Sequence, residues 1–190
     1  MNVYDFDKTL YPRDSTLEFY LASLLRHPSF LLDLPRTAVA LIRYRRGRIS
    51  LQELREISLS SFGRIKDIRG ESERFWRKRK HKIFRYYEEI RRPDDVIISA
   101  SPELFLAPIA REAGFGTVIA SRFDPKSGKY EGERCWGEGK PPRFFEAFPE
   151  GRIEAFYSDS LSDTPMARLA ERAYLIKRGV PVPWPEEALR

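Results

Sequence analysis

The sequence is poor in cysteine: Cys135 is the single one among 190 residues. An internal disulfide is therefore excluded. With no secretory signal ahead of the first strand, a reducing, cytoplasmic setting is the expectation. Long apolar runs are also missing. A membrane-spanning helix needs roughly 18 such residues, and the longest candidate, 30–42, is interrupted by Asp33, Pro35 and Arg36. There is no internal repeat, no low-complexity tract and no nucleic-acid-binding motif. What is present is 42% hydrophobic residues, enough for one ordinary core or a core with a small appendage.

Charge is unevenly spread. The net charge is +6, yet residues 13–93 hold 20 Lys+Arg against 10 Asp+Glu, a net of +10. The rest holds 14 against 18, a net of −4. Such asymmetry suggests two parts facing different partners. The basic part reads as helical throughout. Ser15-Thr16-Leu17-Glu18 and Ser50-Leu51-Gln52-Glu53 each fit a capping box. A helix over 29–46, bent around Pro35, should stop at Gly47, and a long helix should cover 73–90. One-sided apolar stripes predict a small bundle. His27 and His81 read as surface residues.

The remainder alternates between strands and helices. Short apolar, β-branched runs at 2–6, 95–99, 117–120, 153–157 and 173–177 read as strands. Ser101 and Pro102 read as a helix start, 122–131 as a hairpin, and the helix opened by Pro165 should run to about 172. This order implies an α/β fold with a Rossmann-like, mainly parallel sheet at 1–12 and 94–190. Residues 13–93 form an inserted α-helical bundle cap over one sheet edge.

Polar groups collect at the strand ends, where ligands of open α/β sheets bind. Asp5 and Asp7 point to one face, and two like charges so close need a cation or a shared proton. Read alone, they fit a turn with acceptor side chains equally well. Ser99 ends the second strand, Lys140 follows a glycine-rich loop, and Asp159 and Asp163 follow the fourth strand. Each has a plain alternative: a turn serine, a solvated lysine, a helix cap.

Taken together they resemble the four signature motifs of the haloacid dehalogenase superfamily. The first, Asp-x-Asp-x-Thr, is matched by Asp5-Phe6-Asp7-Lys8-Thr9, and the others by Ser99, Lys140, and Asp159 with Asp163. The inserted helices and Ile98-Ser99-Ala100-Ser101-Pro102-Glu103 resemble the phosphoserine-phosphatase-like branch. The resemblance implies a phosphatase in which Asp5 is the nucleophile and Asp7 the acid/base. It implies Mg²⁺ held by Asp5, the Asp7 backbone carbonyl and Asp159, with Asp163 ligating through water or orienting its neighbours. Ser99 and Lys140 would hold phosphoryl oxygens, and Thr9, grouped with them as phosphate-binding, would shape the loop after the acid/base. Arg13 and Asp14 would face the site, Asp14 as the partner of a substrate amine.

The expected substrate is a small phosphorylated metabolite or a lipid head group. Asp7 argues against dehalogenation, because carbon–halogen displacement needs no acid for the leaving group. A phosphotransferase, or a catalytically idle basic module on nucleic acid, is the alternative. The clusters 43–48 and 77–82 beside apolar stripes predict peripheral contact with an anionic membrane surface. No specific nucleic acid and no particular oligomer is implied.

Overall fold

Strand β1 (Asn2–Tyr4) is buried along its whole length. It forms the middle of a six-stranded sheet in the computed structural model, which describes residues 1–189. In chain order the others are β2 (Val96–Pro102), β3 (Thr117–Ser121), the short antiparallel pair β4 (Phe123–Asp124) and β5 (Lys129–Tyr130), β6 (Ile153–Ser158), β7 (Ala170–Lys177) and β8 (Val180–Pro183). The main sheet has the order β3-β2-β1-β6-β7-β8 and is parallel except for the β7–β8 pair. The α/β reading of the sequence is thus the observed fold.

Alternation along the strands builds two cores. Tyr4, Ile97 and Tyr157 point into one, with Phe6, Tyr11, Trp76, Tyr87 and Phe105. Val3, Ile98 and Phe156 point into the other, with Phe144, Leu175 and Trp184. This period-two division is what a sheet covered on both faces requires.

Between β1 and β2 run five helices: α1 (Ser15–Arg26), α2 (Leu34–Arg45), α3 (Leu51–Leu59), α4 (Ile68–Arg77) and α5 (Arg85–Ile90). The capping box at Ser50 and Glu53 is formed as read. The one at Ser15 is not. Asp14 is the N-cap, its carboxylate accepting from Leu17 N–H, while Glu18 is engaged by Tyr11, Arg79 and Lys82. Pro35 opens α2 rather than bending it, because a 3-10 turn (Pro28–Asp33) precedes it.

The expected 73–90 helix is broken in two. Arg79 and Lys82 both turn to Glu18, at 2.9 and 3.2 Å, and the Phe84 N–H donates to Leu10 O at 2.8 Å. These long-range bonds override local helix propensity.

Beyond β2, α6 (Glu103–Ala113) ends at Gly114, whose φ of 78° suits a glycine. On the opposite face lie α7 (Lys140–Ala147), α8 (Thr164–Ala167) and α9 (Glu186–Leu189). The Pro165 helix is shorter than expected, because β7 begins already at Ala170 to pair with Ile153. Strand β8 was not foreseen. Arg178 and Gly179 both have positive φ, 54° and 79°, and link paired Lys177 and Val180 as a two-residue hairpin turn. Pro181 and Pro183 are tolerated there because β8 is an edge strand.

Trp76 joins the helical segment to the sheet core. It is 1% exposed, packs edge-on against Phe6, Tyr11 and Phe75, and donates its indole N–H to Phe105 O. Trp76→Ala should cost about 3–5 kcal/mol in urea unfolding. A loss below about 1 kcal/mol would show that this contact is not part of the main cooperative unit.

Candidate active site

The site starts where β1 stops. The Asp5 N–H still donates to Tyr157 O of β6 at 2.8 Å, so Asp5 is held in line with the strand. The chain then turns tightly, Phe6 O accepting from the N–H groups of Thr9, Leu10 and Tyr11. Lys8 sits at the apex with φ 60°, a left-handed conformation uncommon for a residue with a side chain. The turn swings Asp7 towards β2 and the start of α1. There Asp7 Oδ1 accepts from Ser15 N–H at 2.9 Å and Oδ2 from the Ser101 hydroxyl at 2.6 Å.

Ser101 therefore is not the helix cap that the sequence suggests. Strand β2 continues to Pro102, with a register shift against β3 between Ser99 and Pro102. Such irregularities re-aim side chains beside functional sites, and here Ser101 reaches Asp7 and Thr16. Ser99 is 1% exposed, and its hydroxyl accepts from Ser101 N–H.

Lys140 enters from the other side of β1, as the first residue of α7 and not in a loop. Gly139 before it packs against the carbonyl of Arg134, where any Cβ would collide. The Lys140 ammonium is buried and donates to Asp5 Oδ1 at 2.7 Å and Asp163 Oδ2 at 2.6 Å. The Ser158 hydroxyl also donates to Asp163 Oδ2, at 2.7 Å. Asp163 Oδ1 is buried without a donor. The Thr9 hydroxyl lies 3.5 Å from Asp5 Oδ2, and its carbonyl accepts from the Tyr86 hydroxyl.

The cavity between these groups measures about 190 Å³. Asp5, Asp7, Ser99, Lys140, Asp159 and Asp163 line it together with Lys8, Asp14, Arg55 and Trp136. Thr9 is fully buried behind it, and Arg13 is exposed and outside the lining. Neither histidine lines it; His81 is exposed and His27 partly covered. Sequence reasoning missed Arg55 and Trp136, which approach only through the fold, and Ser158, hidden as an ordinary strand residue.

Burial dominates the electrostatics. It pushes the Asp5 carboxyl up to about 7, Asp163 adding to the rise and Lys140 opposing it. It pushes Asp7 up to about 6, helped by Asp14 and opposed by the hydrogen bonds from Ser101 and Ser15. Asp159 is raised as well, by burial first, with Lys8 opposing. Burial works against the Lys140 ammonium, but Asp5 and Asp163 outweigh it and hold its pKa above the ordinary lysine value.

A hard cation fits this donor set. Among the described residues no three acidic, histidine or cysteine side chains form a ready-made metal cluster. Mg²⁺, however, is usually held by one or two carboxylates with waters completing its shell. Raised Asp5 and Asp159 and the orphan Asp163 Oδ1 are acceptors short of positive charge.

An acidic pair after the central strand, a hydroxyl on its neighbour and a buried lysine define a hydrolase of the haloacid dehalogenase type. The profile of the haloacid dehalogenase-like hydrolases matches residues 3–168, and the chain belongs to that family.

More particular relatives are similar over part of their length. The protein CicA of Caulobacter vibrioides is 38% identical over 93 residues, 45% of this chain and 42% of that protein. A probable phosphatase of Mycobacterium tuberculosis, Rv3661, is 37% identical over 91 residues, 44% of this chain and 31% of that protein. The chain thus matches less than half the length of these curated relatives. Among solved structures, a Bordetella pertussis protein of unknown function superposes with a TM-score of 0.71 at 23% identity, covering 92% of this chain and 88% of its own. A phosphoserine phosphohydrolase-like protein of Francisella tularensis gives 0.56 at 15% identity, covering 92% and 87%. At these identities the likeness is one of fold.

The raised Asp7 carries a stability consequence. Its folded pKa of about 6 exceeds the ordinary 3.8. Folding is therefore favoured by this group below pH 4, and that contribution is lost as pH rises through 6. Asp7→Asn cannot ionise and should gain on the order of 1–2 kcal/mol at pH 8 relative to pH 4, against wild type. Denaturant midpoints at the two pH values check this; a pH-independent difference would mean that Asp7 is not raised.

Proposed function

We propose that the chain is a Mg²⁺-dependent phosphatase acting through an aspartyl-phosphate, with residues 13–93 as a cap over a core of 1–12 and 94–190. The observation that carries this reading is Lys140 bridging Asp5 and Asp163 at 2.7 and 2.6 Å beside a polar cavity. A buried lysine at a carboxylate nucleophile suits a reaction that brings phosphate oxygens to the same place. The name of the Mycobacterium relative supports the activity, and the phosphatase-like solved structures support the fold.

In this mechanism an Asp5 oxygen attacks phosphorus and the bond to the leaving oxygen breaks. Asp7 gives its proton to that oxygen, leaving as the free alcohol. Asp7 then takes a proton from water, which attacks the same phosphorus, releases inorganic phosphate and restores Asp5. An acid with a pKa of about 6 is suited to both transfers near neutral pH. Ser101 and Ser15 hold Asp7 in place for both. Lys140 and the Ser99 hydroxyl hold the phosphoryl oxygens. Asp5, the Asp7 carbonyl and Asp159 would hold Mg²⁺, with Asp163 through water; the ion supplies the charge neutralisation that an anionic nucleophile needs on an anionic phosphate.

Asp5→Asn is near-isosteric and should fold, but lower phosphomonoester hydrolysis by at least a hundredfold. Chelation should abolish wild-type turnover and added Mg²⁺ restore it. Activity of Asp5→Asn above a hundredth of wild type would end the nucleophile assignment. Undiminished activity in chelator would end the metal assignment. An idle binding module predicts no hydrolysis at all, and a phosphotransferase predicts a phosphorylated alcohol among the products.

We further propose weak contact with an anionic membrane. Leu31, Leu32, Val39 and Ile42 are 54%, 71%, 56% and 50% exposed on the 3-10 turn and α2. Arg36, Arg43, Arg45, Arg46 and Arg48 are exposed beside them. Among the described residues no helix is long and apolar enough to cross a membrane, so the contact is peripheral. Reversing Arg45, Arg46 and Arg48 to Glu should abolish co-sedimentation with anionic vesicles at low salt, since each charge there is worth about 1 kcal/mol. Equal binding to neutral vesicles would remove the charge from the explanation.

A further inference from the structure

A second cavity, of about 420 Å³, opens off the catalytic one. The two share Asp7, Asp14, Arg55 and Ala100 in their linings. The shared position of Asp7 matters most. A general acid must sit within hydrogen-bond reach of the atom it protonates, so the leaving oxygen lies at the junction. The phosphoryl group occupies the polar side, with Ser99 and Lys140. The alcohol part of the substrate then has the second cavity before it.

That cavity has a different chemistry. Leu17, Leu41, Leu51, Leu54 and Leu59 wall it from α1, α2 and α3. Its size falls in the usual ligand range of roughly 300–1,000 Å³. Leu17, Leu41 and Leu51 are 56%, 39% and 44% exposed, so the space is a cleft open to solvent, and an apolar patch left open in this way marks a contact site. The leucines offer no hydrogen-bond partner, so the part of the substrate that lies along them is apolar.

The far wall carries a second signal. Arg134 stacks its guanidinium 4.9 Å over the Tyr130 ring, and its Nε is buried without an acceptor. Arg55 lines the same space, and among the described residues neither arginine forms an ion pair. Arg55 adds a like charge beside Arg134, with Glu56 opposing, and the buried Nε without an acceptor favours an anion at this wall.

We infer that this chamber receives the substrate's alcohol part, and that the substrate is an anionic amphiphile. It would be a phosphomonoester with an apolar chain along the leucines and a second anionic group at Arg55 and Arg134. The inference rests on the phosphatase reading of the adjoining cavity, and binding separates the two.

Calorimetry with methyl-, butyl- and octylphosphonate, none of which turns over, reads the chamber directly. Affinity should rise about two- to fourfold per methylene until the chamber is filled. Leu54→Gln should flatten that rise while leaving methylphosphonate binding unchanged. Leu54→Phe, which narrows the chamber without adding a polar group, should end the rise at a shorter chain. 8-Phosphonooctanoate, whose carboxylate sits at the chain end away from the phosphonate, should bind about tenfold tighter than octylphosphonate, and Arg134→Gln should remove that preference.

Equal affinity for methyl- and octylphosphonate, or tighter binding of the zwitterionic 2-amino-4-phosphonobutanoate, would overturn the inference. Continued turnover of an aryl phosphate would then leave the phosphatase reading standing. Chain-dependent binding without turnover of any phosphate supports the chamber and overturns the phosphatase reading. Turnover of one alkyl phosphate as monomer and in vesicles names the source: faster on vesicles for a lipid, on monomers for a dissolved amphiphile.

Discussion

Everything at this site follows from one buried ammonium set among carboxylates. Lys140 is held by Asp5 and Asp163, while Asp7 and Asp159 stand nearby with no lysine of their own at hydrogen-bond distance. A buried charge is tolerated only when paired, and removing one partner of a buried pair leaves the other exposed to the full desolvation penalty. The fold must therefore bring three separate strand ends and the first turn of α7 together, or the site does not balance. Placing β1 between β2 and β6 does this, because Asp5 gains hydroxyl neighbours on one side and acidic neighbours on the other. The balance is incomplete: Asp5, Asp7 and Asp159 all stay raised. Raised carboxyls gathered in one cleft are a mark of a functional site.

The sheet and the acidic ends of its strands were legible because each is written in consecutive residues. A β-branched run followed by a polar group needs no tertiary information, so Asp5, Asp7, Ser99, Asp159 and Asp163 stand out on the chain itself. Lys140 was legible only by resemblance, since nothing local marks that lysine as buried. What escaped depends on distance. Ser101 looked like a helix cap because Ser-Pro-Glu is a sound local signal; the register shift at the end of β2 redirected it to Asp7. The long helix at 73–90 was lost to Glu18, some sixty residues away, which takes both Arg79 and Lys82. β8 was hidden by its prolines, which forbid a central strand but not an edge one.

The helical segment does more than cover the site. Ser15 N–H fixes Asp7, Tyr86 donates to Thr9 O, and Phe84 N–H donates to Leu10 O. Ser72 and Trp76 both donate to Phe105 O, at the start of α6. Three of these bonds grip the loop that carries Asp7, and two grip the helix after β2. The first and last parts of the segment are thus anchored to the loop after β1 and to the sheet layer. α2 and α3, by contrast, present mostly exposed faces.

This division assigns different work to different helices. α1, α4 and α5 hold the loop that carries Asp7, so their movement would shift that carboxyl. α2 and α3 wall the leucine chamber and carry the arginine fringe, so they can vary without disturbing Asp7. The two cavities have in common the lining residues Asp7, Asp14, Arg55 and Ala100. Asp14 is the most constrained of these, because it caps α1 and raises Asp7 at the same time. Asp14 therefore cannot be exchanged without disturbing both the start of α1 and the Asp7 carboxyl, whereas Arg55, on α3, lines the same junction without that double duty.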